Sequence, residues 1–213
     1  MRKVFENSRR ASRGKGPCMV LESERLRLQE ITWHDVENIH RLHSIQAVDE
    51  FNTLGLPQNL EDTKAFMAPL IADQTSSPRK TYCWVIHEKR HQDFLGLAGM
   101  NVSANKFQSG EIYYKLLPRH WGHGYATEVA KILISWGFTH LHLHRIEAGV
   151  AVDNSRSIRV LEKVGMTREG RGRKILPIRA VWKDNYRYAI VEDDVRNDAL
   201  PSVTLRTAED RME

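Results

Sequence analysis

The sequence predicts an α/β (α+β) protein with a mixed, mostly antiparallel central sheet flanked by helices. Three strand-like runs, 82–87, 94–102 and 111–117, follow closely and are joined by short polar turns, which indicates an antiparallel meander. Apolar residues at helical spacing come before and after this meander. A chain of 213 residues suits one domain with a substantial core.

The elements before the meander follow from local signals. Leu26, Leu28 and Glu30 alternate with polar residues and predict a first strand. Thr32 is suited to cap a helix that starts near residues 33–34. A loop with Gly and Pro is expected at 51–59, and a second helix at 61–72.

After the meander, residues 119–126 open a helix that reaches about His140, and a strand is expected at 144–152. Asn154 is placed to cap the next helix, and Gly165 to end it. Arg168, Arg171, Arg173 and Lys174 are expected on a solvated basic hairpin, ahead of a last strand at 186–191.

The net charge of +5 belongs to one end of the chain. Residues 1–19 contain six basic residues and one acidic residue, and the rest of the chain is balanced. We therefore expect a basic, disordered tail at 1–19, a single domain at 20–195 and a polar tail at 196–213. A solvated tail is favoured over an RNA-binding arm, so nucleic acid is not an expected partner.

The composition also limits the compartment. No apolar run is long enough to span a bilayer, and the N-terminal tail lacks the apolar segment of a secretory signal. Cys18 and Cys83 lie far apart and form no C-x-x-C pair. These features favour a reduced, cytoplasmic location without a membrane partner.

The segment R-H-W-G-H-G-Y-A, residues 119–126, lies between a predicted strand and a predicted helix. A turn of this kind directs unpaired backbone N–H groups and the positive end of a helix dipole towards phosphate oxygens. Gly122 and Gly124 permit a sharp bend. The segment lacks the G-K-[S/T] ending of a P-loop and the full G-x-G-x-x-G dinucleotide pattern, so those nucleotide-binding classes are disfavoured.

Two motifs together resemble those of the GCN5-related N-acetyltransferases. The segment 119–126 is similar to their [Q/R]-x-x-G-x-[G/A] acetyl-CoA signature, and 152–166 is similar to their N-x-x-[S/A]-x-x-x-x-x-K-x-G-[F/M] helix. The runs E-S-E-R-L-R-L and Y-Y-K-L-L-P resemble the RimJ/RimL-type branch, which acetylates ribosomal-protein N-termini. The resemblance spans about residues 21–191 and implies the acyl-CoA N-acyltransferase fold.

The resemblance implies direct transfer of an acetyl group from acetyl-CoA to a primary amine. It implies that the strand before the loop binds the pantetheine arm through its backbone, and that the loop and the cap of the later helix bind the rest of the donor. The implied cofactor-binding residues are Leu116, Leu117, Arg119, His120, Trp121, Gly122, His123, Gly124, Tyr125, Ala126, Thr127 and Asn154.

The reaction needs one group that accepts a proton from the amine and one that assists the departing thiolate. By resemblance Glu111 is the candidate base, acting directly or through water, although a solvated carboxylate at a strand start is the alternative. Many proteins of the resembling family have a Tyr that acts as general acid where this chain has Leu161. Ser157 is therefore the candidate residue that assists the departing thiolate. Its alternative role is a first-turn Ser bonded to the backbone.

Several readings stay open at this stage. The substitution of Leu161 for Tyr keeps a CoA-binding protein without turnover as the second candidate function. An N-terminal peptide, a polyamine, an aminoglycoside or another small amine all satisfy the donor motifs as acceptor. The oligomeric state is open, with a homodimer among the alternatives. No metal is expected, because the clustered histidines lack carboxylate or Cys partners that would complete a site.

Overall fold

The computed structural model of the chain describes residues 19–103, 105–194 and 204–206. The strands over these residues are β1 (Val20–Glu22), β2 (Leu26–Glu30), β3 (Thr81–Glu88), β4 (Phe94–Val102), β5 (Ser109–Leu116), β6 (Arg145–Ala151), β7 (Thr167–Ile178), β8 (Val181–Val191) and β9 (Thr204–Arg206). They form one sheet in the order β7-β8-β6-β5-β4-β3-β2-β1-β9. The helices are α1 (Val36–His43), α2 (Gln46–Asp49), α3 (Leu60–Asp73), α4 (Tyr125–Thr139) and α5 (Ser155–Lys163).

Side-chain caps mark the helix starts; the cap at Thr32 was predicted, whereas the one at Asn59 was not. Thr32 and Asp35 form a capping box ahead of α1, with the Thr32 N–H donating to Asp35 Oδ2 at 2.8 Å. The Asn59 side chain accepts from two backbone N–H groups at the start of α3. The short elements β1 and α2 were not predicted, because three or four residues carry too little periodicity to be recognised.

The predicted meander is confirmed, since β3, β4 and β5 pair antiparallel in sequence order. Alternate residues of β3 point to opposite faces of the sheet. Trp84 and Ile86 pack with α4 and α5, whereas Cys83 and Val85 pack with α1 and α3. The sheet therefore has helices on both faces, and the predicted fold class is confirmed.

The pairing of β5 with β6 positions the site. These strands run parallel, but their ladder stops after three pairs, the last joining Glu111 to Glu147. Beyond it, β5 continues along β4 to Leu116, and β6 continues along β8 to Ala151. The two strands therefore diverge, and the facing edges beyond Glu111 have backbone groups that the sheet does not pair.

The C-terminal half contains strands that the sequence did not reveal. The predicted basic hairpin is formed by β7 and β8, and its four basic residues lie on β7 itself, which is largely exposed. Residues 1–18 of the predicted basic tail lie outside the described residues. Of the predicted C-terminal tail, Thr204–Arg206 is described and pairs antiparallel with β1. No helix in the described part of the chain is both long and apolar enough to cross a bilayer.

Candidate active site

A cleft of about 540 Å³ opens where β5 and β6 diverge. Its walls come from both strands, the start of α4, helix α5 and the segment after α2. The predicted site residues that line it are Glu111, Leu116, His120, Trp121, Gly122, Gly124, Tyr125, Ala126, Thr127, Asn154 and Ser157. The fold therefore brings together the loop at 119–126 and the start of α5, as the two motifs require.

The loop has the conformation that its glycines predict. Gly122 and Gly124 have φ of +81° and +80°, a region that other residues rarely adopt. A Cβ on Gly122 would meet nothing within 4 Å, so the backbone angle and not a lack of space requires glycine there. Helix α4 begins at Tyr125, and its first N–H groups lack helical partners. This end of the cleft is therefore suited to bind an anion.

The turn between β1 and β2 bonds to the loop at 119–126 and to the first turn of α4. Arg25 Nε donates to Glu128 Oε2 at 2.7 Å, and Arg25 Nη1 donates to the His123 carbonyl at 3.2 Å. Ser23 Oγ donates to the other Glu128 oxygen at 2.6 Å. The Arg25 guanidinium also lies 4.7 Å from the centre of the Tyr125 ring. These contacts fix the first turn of α4 to the edge of the sheet.

Trp121 forms part of the cleft wall. Its indole N–H donates to the Leu116 carbonyl at 2.8 Å, so one lone pair of that carbonyl is used within the protein. The Arg156 guanidinium lies 4.4 Å from the centre of the Trp121 ring. Strand β5, the loop and α5 are thereby connected through one side chain.

Three predicted cofactor-binding residues do not line the cleft. Leu117 packs in the core beside α1 and α3, its N–H donates to the Leu95 carbonyl, and its carbonyl accepts from His120. Its backbone is thus already bonded, and the structure does not support a contact with pantetheine. Arg119 Nε donates to His120 Nε2 at 2.9 Å, and His123 contributes its carbonyl to Arg25.

Glu111 lies where the parallel ladder ends, and it faces Glu147 across the two strands. Its side chain keeps contact with solvent at the mouth of the cleft, but the walls remove part of its hydration. This desolvation is the largest cause of a raised pKa of the Glu111 carboxyl, and Glu147 adds to it. Arg187 and the Gly149 backbone N–H act in the opposite direction. A raised pKa brings this carboxylate closer to the range that suits a general base near neutral pH.

Two hydroxyl groups meet where β5 and α5 line the cleft. Asn154 caps α5 by accepting from the Ser157 N–H at 3.1 Å, as predicted. Ser157 Oγ lies 2.9 Å from the hydroxyl of Tyr114, which comes from β5. Burial raises the pKa of Tyr114 to about 12, so this phenol stays protonated at neutral pH. Leu161 is buried in the core and offers no hydroxyl.

Tyr114 and Lys115 are among the cleft residues that were not predicted from the sequence. Both lie within the predicted strand, but their partners are far away in the chain: Ser157 is 43 residues from Tyr114. Lys115 lines the cleft and has a buried ammonium group, at a position where strand alternation alone gives no reason for a charge. Among the residues described, no group of three or more His, Cys, Asp or Glu side chains could hold a metal ion.

Comparison with known proteins identifies the family. A model of the acetyltransferase (GNAT) domain matches residues 25–167. The uncharacterized N-acetyltransferase YoaA of Bacillus subtilis (strain 168) is 31% identical over 173 residues, which cover 81% of this chain and 97% of that protein.

Two solved structures share the fold. Mycobacterium smegmatis RimJ, in complex with CoA-disulfide, has a TM-score of 0.74 and 23% identity, covering 86% of this chain and 90% of RimJ. The Vibrio cholerae spermidine N-acetyltransferase, in complex with CoA and spermine, has a TM-score of 0.72 and 21% identity, covering 81% and 98%. With its two motifs meeting at one cleft and its match over most of the domain, the chain belongs to the acetyltransferase (GNAT) family.

Proposed function

We propose that this protein transfers an acetyl group from acetyl-CoA directly to a primary amine, on a protein N-terminus or a small molecule. The observation that carries the proposal is the arrangement of one cleft. An anion-binding loop lies at one end, a carboxylate with a raised pKa lies at the other, and a hydroxyl pair lies on the wall.

The residues present fit the donor. The loop at 119–126 offers backbone N–H groups for a pyrophosphate, and Arg156, Arg159 and Lys163 of α5 place positive charge along the same cleft. The edge of β5 beyond Glu111 is not paired with β6, so it offers N–H and C=O groups to an extended pantetheine arm. Arg156 is shared with Glu50, whose carboxylate lies 3.5 Å away.

Each catalytic step has a candidate residue. Acetyl-CoA supplies the acetyl group as a thioester. Glu111 accepts a proton from the acceptor ammonium, directly or through water, which frees the nitrogen lone pair for attack on the acetyl carbon. As the C–S bond breaks, Ser157 donates a hydrogen bond to the departing sulfur, and the proton that the nitrogen loses as it becomes an amide neutralises the thiolate. Tyr114 supports this step because its protonated phenol can donate to Ser157 Oγ, leaving the Ser157 proton directed into the cleft.

A second candidate function is CoA binding without turnover. One observation favours it. Many proteins of the resembling family have a general-acid Tyr at the position of Leu161, and here Leu161 is 1% exposed and belongs to the core. The Tyr114–Ser157 pair is our reason for preferring catalysis.

The test is a panel of amines incubated with acetyl-CoA, with release of free thiol followed together with the mass of each acceptor. The panel includes N-terminal peptides and spermidine, since solved neighbours of this fold include a RimJ protein and a spermidine acetyltransferase. We expect thiol release that depends on an amine, with a mass gain of one acetyl group. A rise in Tm with CoA, but no turnover on any amine, would instead establish the second candidate.

A further inference from the structure

Lys115 lines the cleft, and its ammonium group has no hydrogen-bond partner among the described residues. Alternation along β5 puts Glu111, Tyr113 and Lys115 on the face that packs with α1 and α3. Lys115 lines the cleft together with Val48, Phe51 and Asn52, and its Nζ is buried without a hydrogen-bond partner in the described part of the chain. Leaving a buried ammonium unpaired is costly, so a native protein keeps one only where something else compensates.

The surroundings of Lys115 are positive overall. Asp49 is buried, one of its oxygens has no hydrogen-bond partner, and the other lies 3.7 Å from Arg179 Nε. Asp49 is thus shared between two cations. His43, also nearby, is neutral, since burial and the charge of Lys115 lower its pKa to about 3. Lys115, Asp49 and Arg179 therefore carry a net charge of about +1 when Lys115 is protonated, as most of it is at pH 7 given a pKa of about 8.

The Glu111 end of the same face is negative overall. A recess of about 370 Å³ continues past Glu111 and is lined by Glu147 and Arg187. Arg145 bonds Glu147 and Glu169. This end of the face therefore has three carboxylates and two guanidinium groups, namely those of Glu111, Glu147, Glu169, Arg145 and Arg187. Since Glu111 and Lys115 are four residues apart on one strand, their Cα atoms are separated by about 13 Å.

We propose that the acceptor is a zwitterion, an amino acid or short peptide whose amine lies at Glu111 and whose carboxylate binds Lys115. This inference rests on the proposed acetyltransferase function and names the acceptor class. An extended chain spans about 3.5 Å per residue, so about three residues match this separation, and a shorter acceptor reaches both ends only when the Glu111 and Lys115 side chains incline towards each other. A polyamine would instead bring a second positive charge towards Lys115 and Arg179.

Matched acceptors test the proposal. Alanine, dialanine and trialanine are each compared with their C-terminal amides, which keep the amine and lose the carboxylate. Spermidine is the polycation in the same panel. For the wild-type protein we expect kcat/KM for at least one acceptor with a free carboxylate to be about tenfold or more higher than kcat/KM for the matching amide. The difference should lie in the KM of the acceptor, as a charge-assisted contact predicts.

Lys115→Met keeps the length of the side chain and removes its charge. We expect the carboxylate-to-amide ratio to fall to near one, with the KM for acetyl-CoA unchanged. Lys64→Met is the control, because Lys64 is exposed on α3 and pairs with Glu61 there. This variant should keep the wild-type ratio.

Either of two results would overturn the inference while the proposed function stands. In one, the amides or spermidine are acetylated as efficiently as the free carboxylates. In the other, Lys115→Met retains the carboxylate preference. Absence of turnover on every amine, in a protein that CoA stabilises, would remove both the inference and the proposed function.

Discussion

The carboxyl of Glu111 is close to one negative and one positive side chain, Glu147 and Arg187, and each can be removed by a single substitution. Glu147 raises the pKa of its carboxyl and Arg187 lowers it. Only the ionised carboxylate can accept a proton, so kcat/KM should decrease as the pH falls through this pKa.

We expect Glu147→Gln to move the acidic limb of the kcat/KM profile to lower pH, because it removes a charge that opposes ionisation. Arg187→Gln should move the limb to higher pH. Glu111→Gln should lower kcat/KM by about 10²-fold or more and abolish the limb. The exposed Glu61→Gln serves as control. An unchanged pH profile in Glu111→Gln would exclude this residue as the base.

Tyr114 and Ser157 are expected to act as a pair because their oxygens lie 2.9 Å apart. We expect Ser157→Ala and Tyr114→Phe each to lower kcat by about tenfold, in line with the loss of one proton-handling contact. The double variant should be little worse than Ser157→Ala alone, since residues that act as a unit are not additive. Full kcat in Ser157→Ala would mean that this side chain only satisfies the backbone of α5.

At the scale of elements, helix α1 buries a histidine against α3. His43 packs edge-on against Phe66, with ring centres 5.0 Å apart. Burial, together with the charges of Lys115 and His40, lowers the pKa of His43 from 6.5 to about 3. Between these pH values the unfolded chain binds a proton that the folded protein does not, so stability is lost as the pH falls below 6.5.

We therefore expect the wild-type protein to lose about 2 kcal/mol more than His43→Leu in free energy of unfolding between pH 6.5 and pH 5. Urea unfolding at both pH values measures it. Phe66→Leu is the matched control, because it weakens the same contact without removing a titrating group. If the free energies of unfolding of the wild-type protein and His43→Leu differ by the same amount at both pH values, His43 is not held neutral in the folded protein.

At the scale of the whole molecule, the divergence of β5 and β6 opens the cleft within the sheet. The backbone edges beyond Glu111 and Glu147 are not joined in a ladder. Both strands remain fixed by their outer partners, β4 and β8, so the gap is held open by the rest of the sheet.

We expect bound CoA to slow amide hydrogen exchange at residues 112–116 and 119–127. The ligand would pair with an edge that the free protein leaves to water. Exchange along β3, whose strand pairs on both sides, should change little. Protection confined to other segments would contradict binding in this cleft.

Most of the elements were predictable because their signals are local. The capping residues Thr32, Asn59 and Asn154, the glycines of the loop and the alternation in β2 each act within a few residues of the chain. The short elements β1, α2 and β9 escaped because they are defined by what they pack or pair with and not by their own pattern.

The sequence by itself determined the family motifs, the phosphate-suited loop and the identity of Glu111 and Ser157 as candidates. Three contacts follow from the tertiary structure alone: Leu117 is turned into the core, Tyr114 meets Ser157, and Arg25 bonds the loop at His123 from 98 residues away. The same is true of Lys115 and the charge of Asp49 near it. Backbone propensities and caps are short-range, whereas the environment of a charge depends on chain segments that only folding brings together.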